Sequence, residues 1–220
     1  MNEYSFTVCH TAEMAATATP KRTASRAERR QQLIDATMKC IARKGMSSMT
    51  LGDVARGAGL SQGIVNLHFR SKDNLLKETL QFLADEYRAQ FEDAVARAGP
   101  DAGAKLMALL EVDLRPSICH PDKIAVWFAF WGEVKSRPTY RRICDASDRY
   151  YDQVAEDLCR EIIADGGYDT VSVESVTTAL TSMTNGMWLS CLINPKTFDR
   201  RVAMRAIEDY LRIVFPKHYR

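Results

Sequence analysis

Apolar residues in the first third of the chain recur at three- and four-residue spacing. Leu33, Ile34, Met38, Cys40 and Ile41, with Thr37 among them, share one helical face, and Gly45 follows as a stop signal. A first helix is therefore expected from about Arg26. Thr50 is placed to cap a second helix over residues 51–57, Gly59 permits a tight turn, and Ser61 is placed to cap a third running to about His68. Ser71 opens a longer fourth helix to about Arg97, with Leu75, Leu76, Thr79, Leu80, Leu83, Tyr87 and Phe91 on one side. Beyond Gly99-Pro100, helices are expected over about 101–118, 121–135, 138–165, 172–193 and 198–214, punctuated by Pro116, Pro121, Pro138, Gly166-Gly167 and Pro195. No segment shows the alternation of a strand. The predicted fold is all-α: a three-helix head at 26–72 and a larger helical body at 73–220. Residues 1–25, rich in Thr, Ala and Ser and without a sustained period, read as a flexible leader.

Charge divides the chain in the same way. The net charge is +2, yet residues 21–77 hold 12 basic and 4 acidic side chains while residues 78–220 hold 18 and 22. A basic head on an acidic body suits a polyanion at one end and a different partner at the other. Lys21, Arg22, Arg26, Arg29 and Arg30 are candidates for extra backbone or minor-groove contacts, or for a merely solvated tail. The 220 residues are 46% hydrophobic and 26% charged, which excludes disordered and collagen-like classes. No stretch approaches a membrane span, no signal sequence is present, and a cytoplasmic protein is expected. Six scattered cysteines include no CxxC pair, and the adjacent Cys119-His120 is not a metal cage, so no metal or other cofactor is called for.

The run Thr50-Leu51-Gly52-Asp53-Val54-Ala55-Arg56-Gly57-Ala58-Gly59-Leu60-Ser61-Gln62-Gly63-Ile64-Val65-Asn66-Leu67-His68-Phe69-Arg70-Ser71-Lys72 resembles the helix-turn-helix signature of the TetR family of repressors. A recognition helix puts its first residues against base edges and anchors its flanks on phosphates. Gln62 and Asn66, one turn apart, each offer an amide able to pair with adenine in bidentate fashion. Gly63 suits either close backbone approach to DNA or helix packing. The resemblance implies phosphate contacts for Thr50, Ser61, His68 and Lys72, and Leu67 stands where the family often has an aromatic. Val54, Ala55, Leu60, Ile64 and Phe69 read as core, with Val65 and Leu67 open to either side.

In the body, Ile124–Glu133 is the most aromatic segment and holds Trp127 and Trp131, and the third tryptophan lies in Asn185-Gly186-Met187-Trp188-Leu189. With Pro138-x-Tyr140 between them, these segments resemble the C-terminal domain of the choline-responsive, betaine-synthesis branch of the same family. The resemblance implies a small-molecule effector, with Trp127, Trp131, Glu133, Tyr140, Tyr151 and Trp188 as candidate contacts. A quaternary ammonium donates no hydrogen bond and is held by aromatic faces and carboxylates, although aromatics at this spacing also build plain core. Asn185 stands where that branch tends to carry an acid.

Operator palindromes call for a homodimer, and the last two helices offer the stripes Val176, Leu180, Met183, Met187 and Ile207, Tyr210, Leu211, Val214, suited to an interface or to intrachain core. The expected function is a ligand-responsive repressor on double-stranded operator DNA, with a ligand-independent architectural DNA-binding protein, or a regulator answering to an unrelated apolar effector, as alternatives. No nucleophile elbow, GxGxxG, HExxH or P-loop supports an enzyme.

Overall fold

Helix starts in this chain coincide with residues whose side chains take up the free amides of a first turn. In the computed structural model, which describes residues 25–220, Ser25 opens α1 (Arg26–Lys44), its hydroxyl accepting from the Glu28 amide at 3.1 Å. Thr50 does the same for α2 (Leu51–Gly57) and Ser71 for α4 (Lys72–Arg97). Each such cap contributes about 1 kcal/mol. The third expected cap differs. Ser61 precedes α3 (Gln62–Phe69) with extended backbone, but its hydroxyl makes no capping bond. The remaining helices are α5 (Ala102–Leu114), α6 (Pro121–Trp131), α7 (Pro138–Gly166), α8 (Val173–Ile193) and α9 (Arg200–Val214), and no strand occurs among the described residues. Except at Ser25, the stretch read as a leader lies outside the described residues.

Two helices are shorter than expected, for local reasons. Arg115 leaves the helical region because it precedes Pro116, so α5 ends at Leu114 instead of 118. The chain turns from Gly132 onward, ending α6 at Trp131 instead of 135. Gly59, at φ +66°, makes the turn between α2 and α3. Arg70 makes the next turn at φ +63° without glycine's freedom.

The head closes over Leu33, Ile34, Met49, Val54, Val65, Phe69, Leu75 and Leu76, all essentially inaccessible. Each such side chain contributes about 1.5–3 kcal/mol on burial. Of the ambiguous pair, Val65 joins this core and Leu67 is 69% exposed. The head is continuous with the body: α1 packs on α4 and also on α6. Behind them α4, α5 and α7 pack together, α8 lies against α6 and α7, and α9 covers α5 and α8. Val176, Leu180, Ile207 and Leu211, four residues of the anticipated dimer stripes, are buried inside this single chain. The apolar side chains α8 and α9 leave to solvent are Leu189, Ile193, Val202 and Ile213.

Candidate functional site

Two faces of α3 have opposite characters. Val65 and Phe69, four residues apart, anchor it in the head core, which leaves Gln62, Gly63, Asn66 and Leu67 exposed together on the other side. His68 is half-buried beside Phe69. Ser61, uncommitted as a cap, is exposed at the start of the helix. Thr50 is committed. Its hydroxyl donates to Asp53 Oδ2 at 2.9 Å and accepts from the Asp53 amide, and its own amide donates to the same carboxylate at 3.2 Å. A phosphate contact from the Thr50 hydroxyl would replace its bond to Asp53 Oδ2 and leave both bonds of the capping box in place. Asp53 is held well below the usual carboxylate range, first by the Lys44 ammonium at 2.7 Å and then by Thr50. Lys72 reaches back to donate to the Ser47 carbonyl at 3.2 Å, tying the start of α4 to the turn before α2. Arg30 is spoken for: it pairs with Glu78 and lies over the Phe69 ring.

The second site lies in the body. A cavity of about 350 Å³ opens between α4, α5, α6, α7 and α8, and Trp127, Trp131, Trp188, Tyr87 and Tyr151 form its aromatic wall. Trp131 and Trp188 stack at 6.2 Å and 14°, and Trp127 meets Trp131 at 6.0 Å. Four of the six anticipated effector contacts are thus brought together. The other two are not. Glu133 lies in the turn after α6, bonded to Ser136 and 3.7 Å from Arg137, and Tyr140 packs edge-on against Phe130 under the Arg137 guanidinium. Both were expected from the resemblance to the choline-responsive branch and from the aromatic and carboxylate chemistry that holds a quaternary ammonium. After the turn that follows Trp131 neither side chain lines the cavity.

Asp113 is the cavity residue that periodicity does not reveal. It is 2% exposed on α5, and its carboxylate accepts the hydroxyls of Tyr87 at 2.5 Å and Tyr151 at 2.8 Å. The indole N–H of Trp188 donates to its backbone carbonyl at 2.8 Å. Burial pushes its pKa up to about 6, against the two tyrosine bonds that pull it down. Asp148 and Asp152, one turn apart on α7, complete an acidic lining with Thr181, Thr184 and Asn185 opposite. Burial at the cavity and the neighbouring Asp152 and Asp145 lift Asp148 to about 6, and burial also raises Asp152. Among the described residues, none of the three carboxylates has a Lys or Arg partner. The chain gives no unique signal for it: Glu111 and Asp113 both interrupt the apolar run Leu109, Leu110, Val112, Leu114, and Glu111 is exposed. Tyr87 reads as core because its spacing on α4 matches that of Leu83 and Phe91.

The cavity therefore combines unpaired negative charge with aromatic faces, materials that suit a small organic cation. It adjoins the head, since α6 carries Trp127 and Trp131 into the cavity and also packs on α1. Among the described residues, no cluster of three metal-ligating side chains occurs, and no helix is long and apolar enough to cross a membrane.

Comparison with known proteins finds matches over both the head and the body. A family described as "BetI-type transcriptional repressor, C-terminal" matches residues 102–216, and one described as "Bacterial regulatory proteins, tetR family" matches residues 33–79. The HTH-type transcriptional regulator BetI of Paraburkholderia phymatum is 31% identical over 187 residues, covering 84% of this chain and 92% of the relative. The protein of the same name from Burkholderia thailandensis is 29% identical, over 84% and 93%. The crystal structure of a proposed transcriptional regulator from Pseudomonas aeruginosa PAO1 superposes with a TM-score of 0.77 at 26% identity, over 90% of this chain and 96% of that one. The fold is shared too by a proposed regulator from Saccharomonospora viridis, solved in complex with choline, with a TM-score of 0.73 at 22% identity over 84% and 96%. This chain belongs to the TetR family of transcriptional regulators, which are not enzymes, and its C-terminal domain is of the BetI type.

Proposed function

We propose that the chain is a cytoplasmic repressor that binds a two-fold symmetric operator as a homodimer and is released by choline or a closely related quaternary ammonium. The observation that carries this reading is the buried Asp113 carboxylate, set among three tryptophans and two tyrosines with no cation paired to it among the described residues. A quaternary ammonium offers no N–H, so attraction comes from ring faces and net charge, and the cavity supplies both. Asp113, Asp148 and Asp152 make up for the neutral Asn185. The solved choline complex of the Saccharomonospora viridis protein, which has this fold, supports the same ligand class.

On the DNA side, Gln62 and Asn66 read base edges, Gly63 lets the backbone approach, Leu67 meets a thymine methyl, and Ser61, His68 and Lys72 hold phosphates. The dimer forms through the exposed apolar face of α8 and α9. On α8, Ser182 and Gly186 are small and lie in line with Leu189 and Ile193, allowing close approach of a second copy. The effector acts through α6. Seating a cation between Trp127, Trp131 and Trp188 favours one position of α6, which bears on α1 and so sets the separation of the two recognition helices. Successive major grooves on one face lie about 34–36 Å apart. Reversing a 99:1 population takes about 5.5 kcal/mol of differential affinity.

The test is release of the purified protein from its own upstream DNA by choline, with 3,3-dimethyl-1-butanol, the uncharged isostere, as control. Choline is expected to release DNA and the isostere to fail. Equal release by both would sink the cationic reading, and binding only to AT-rich DNA of no symmetry would sink the repressor reading.

A further inference from the structure

Where body meets head, the first turns of α4 and α7 face each other across a second cleft, of about 450 Å³. Its walls include Ser71, Asp73 and Lys77 from the α4 side and Arg137, Thr139 and Tyr140 from the α7 side. The Asp73 carboxylate is taken by the Arg137 guanidinium at 2.8 Å, which also lies 3.7 Å from Glu133, and Lys77, with no ion-pair partner among the described residues, is the cleft's uncommitted cation. Arg137 precedes α7 without capping it through its side chain, and the positive end of this 29-residue helix is therefore open to an anion.

Tyr140 is the independent sign of a ligand. It is 3% exposed, and its hydroxyl is buried without any hydrogen-bond partner among the described residues. The charges that act on that hydroxyl are Arg137, Asp73 and Glu133, the first two of them cleft residues. The ring is held in place by Phe130 at 5.1 Å and by Arg137 at 5.4 Å. A phenylalanine would fill the same volume without leaving a donor unsatisfied, so packing alone does not account for the oxygen.

We propose that this cleft is a second ligand site, separate from the aromatic cavity, which takes a small oxyanion, a carboxylate or a phosphate. The anion accepts the Tyr140 hydroxyl, lies at the open start of α7 and pairs with Lys77, so that it bridges the first turn of α4 to the body. A bound anion would hold the head-proximal end of α4 at one spacing from α7.

The site is tested on the full chain by isothermal titration with inorganic phosphate and, separately, succinate, at constant ionic strength against a chloride reference. Saturable binding of either is expected, and which of the two binds distinguishes the sources. Tyr140→Phe should fold with an unchanged or higher melting temperature, because it removes an oxygen with no partner, yet bind the anion about tenfold more weakly, the loss of one hydrogen bond to a charged acceptor. Lys77→Gln, at an exposed position, should weaken the same binding without touching the core. No saturable binding of either anion, or equal binding by wild type and Tyr140→Phe, would overturn the proposal. So would a Tyr140→Phe protein that loses operator affinity with no anion added, since the operator's own phosphate would then be the occupant.

Discussion

The indole of Trp131 stacks on that of Trp188 with 6.2 Å between centroids and 14° between planes. This pair joins α6, which bears on the head, to α8, which carries the exposed apolar face. The aromatic cavity, the helix that bears on the head and the helix with the exposed apolar face thus meet in two side chains. Trp188→Ala should weaken choline binding about 30-fold, the equivalent of roughly 2 kcal/mol for a desolvated cation on an indole face. It should also free the Asp113 carbonyl. Titration calorimetry reads the first effect. Trp188→Phe, which keeps a ring, should recover part of the affinity, and no recovery would mean that the N–H bond, not the face, matters.

Effector binding should depend on pH through Asp113. Its folded pKa is raised to about 6 by burial, so the group is charged at pH 7.5 and neutral below 6. Choline affinity is expected to fall by up to tenfold per unit as pH drops below about 6, and binding near pH 6 should release protons. Stability of the free protein should move the opposite way. An acid whose folded pKa lies above its unfolded value takes up protons on folding, so stability rises as pH falls from 7 toward 5. Asp113→Asn should remove about half of both dependences, the rest staying with Asp148, which is also lifted to about 6, and should lower choline affinity more than tenfold at pH 7.5 while leaving the melting temperature at that pH unchanged or higher. A pH profile of Asp113→Asn superimposable on wild type would assign the titration elsewhere, to Asp148 first.

On the DNA face, Gln62→Ala should cost about 1–3 kcal/mol, concentrated at one base pair per half-site, because its side chain is exposed on the side of α3 turned away from the head core. Lys72→Ala should weaken binding to all sequences alike and reduce the salt slope by about one. Binding to a panel of operator variants at several salt concentrations separates the two. Unchanged site preference in Gln62→Ala would remove it from base reading.

The dimer face is addressed by charge. Ile193→Glu and Ile213→Glu alter side chains 63% and 80% exposed in the single chain, so its fold should persist by circular dichroism. Sedimentation should show a monomer, and operator binding should drop at least 100-fold because each monomer spans one half-site. A dimer that survives both substitutions would place the interface elsewhere.

Much of the head is legible in the linear order of residues. Helix ends depend on neighbours within a few positions: a hydroxyl at Thr50 or Ser71 that meets an amide three residues on, a glycine at Gly45 or Gly59 that accepts positive φ, a proline that expels Arg115 from a helix. The split of α3 into a buried side at Val65 and Phe69 and an exposed side at Gln62 and Asn66 follows from helical period once the core is known. Tertiary packing settled the rest. Periodicity tells which residues share a face and not which face of another helix they meet, so Glu133 and Tyr140, near the tryptophans along the chain, lie outside the cavity that the tryptophans line. Asp113, 14 residues before Trp127, joins the tryptophans because α5 and α6 both line one cavity. A carboxylate survives such burial only where two hydroxyls are brought to it from α4 and α7, and that meeting of three helices is a product of packing alone.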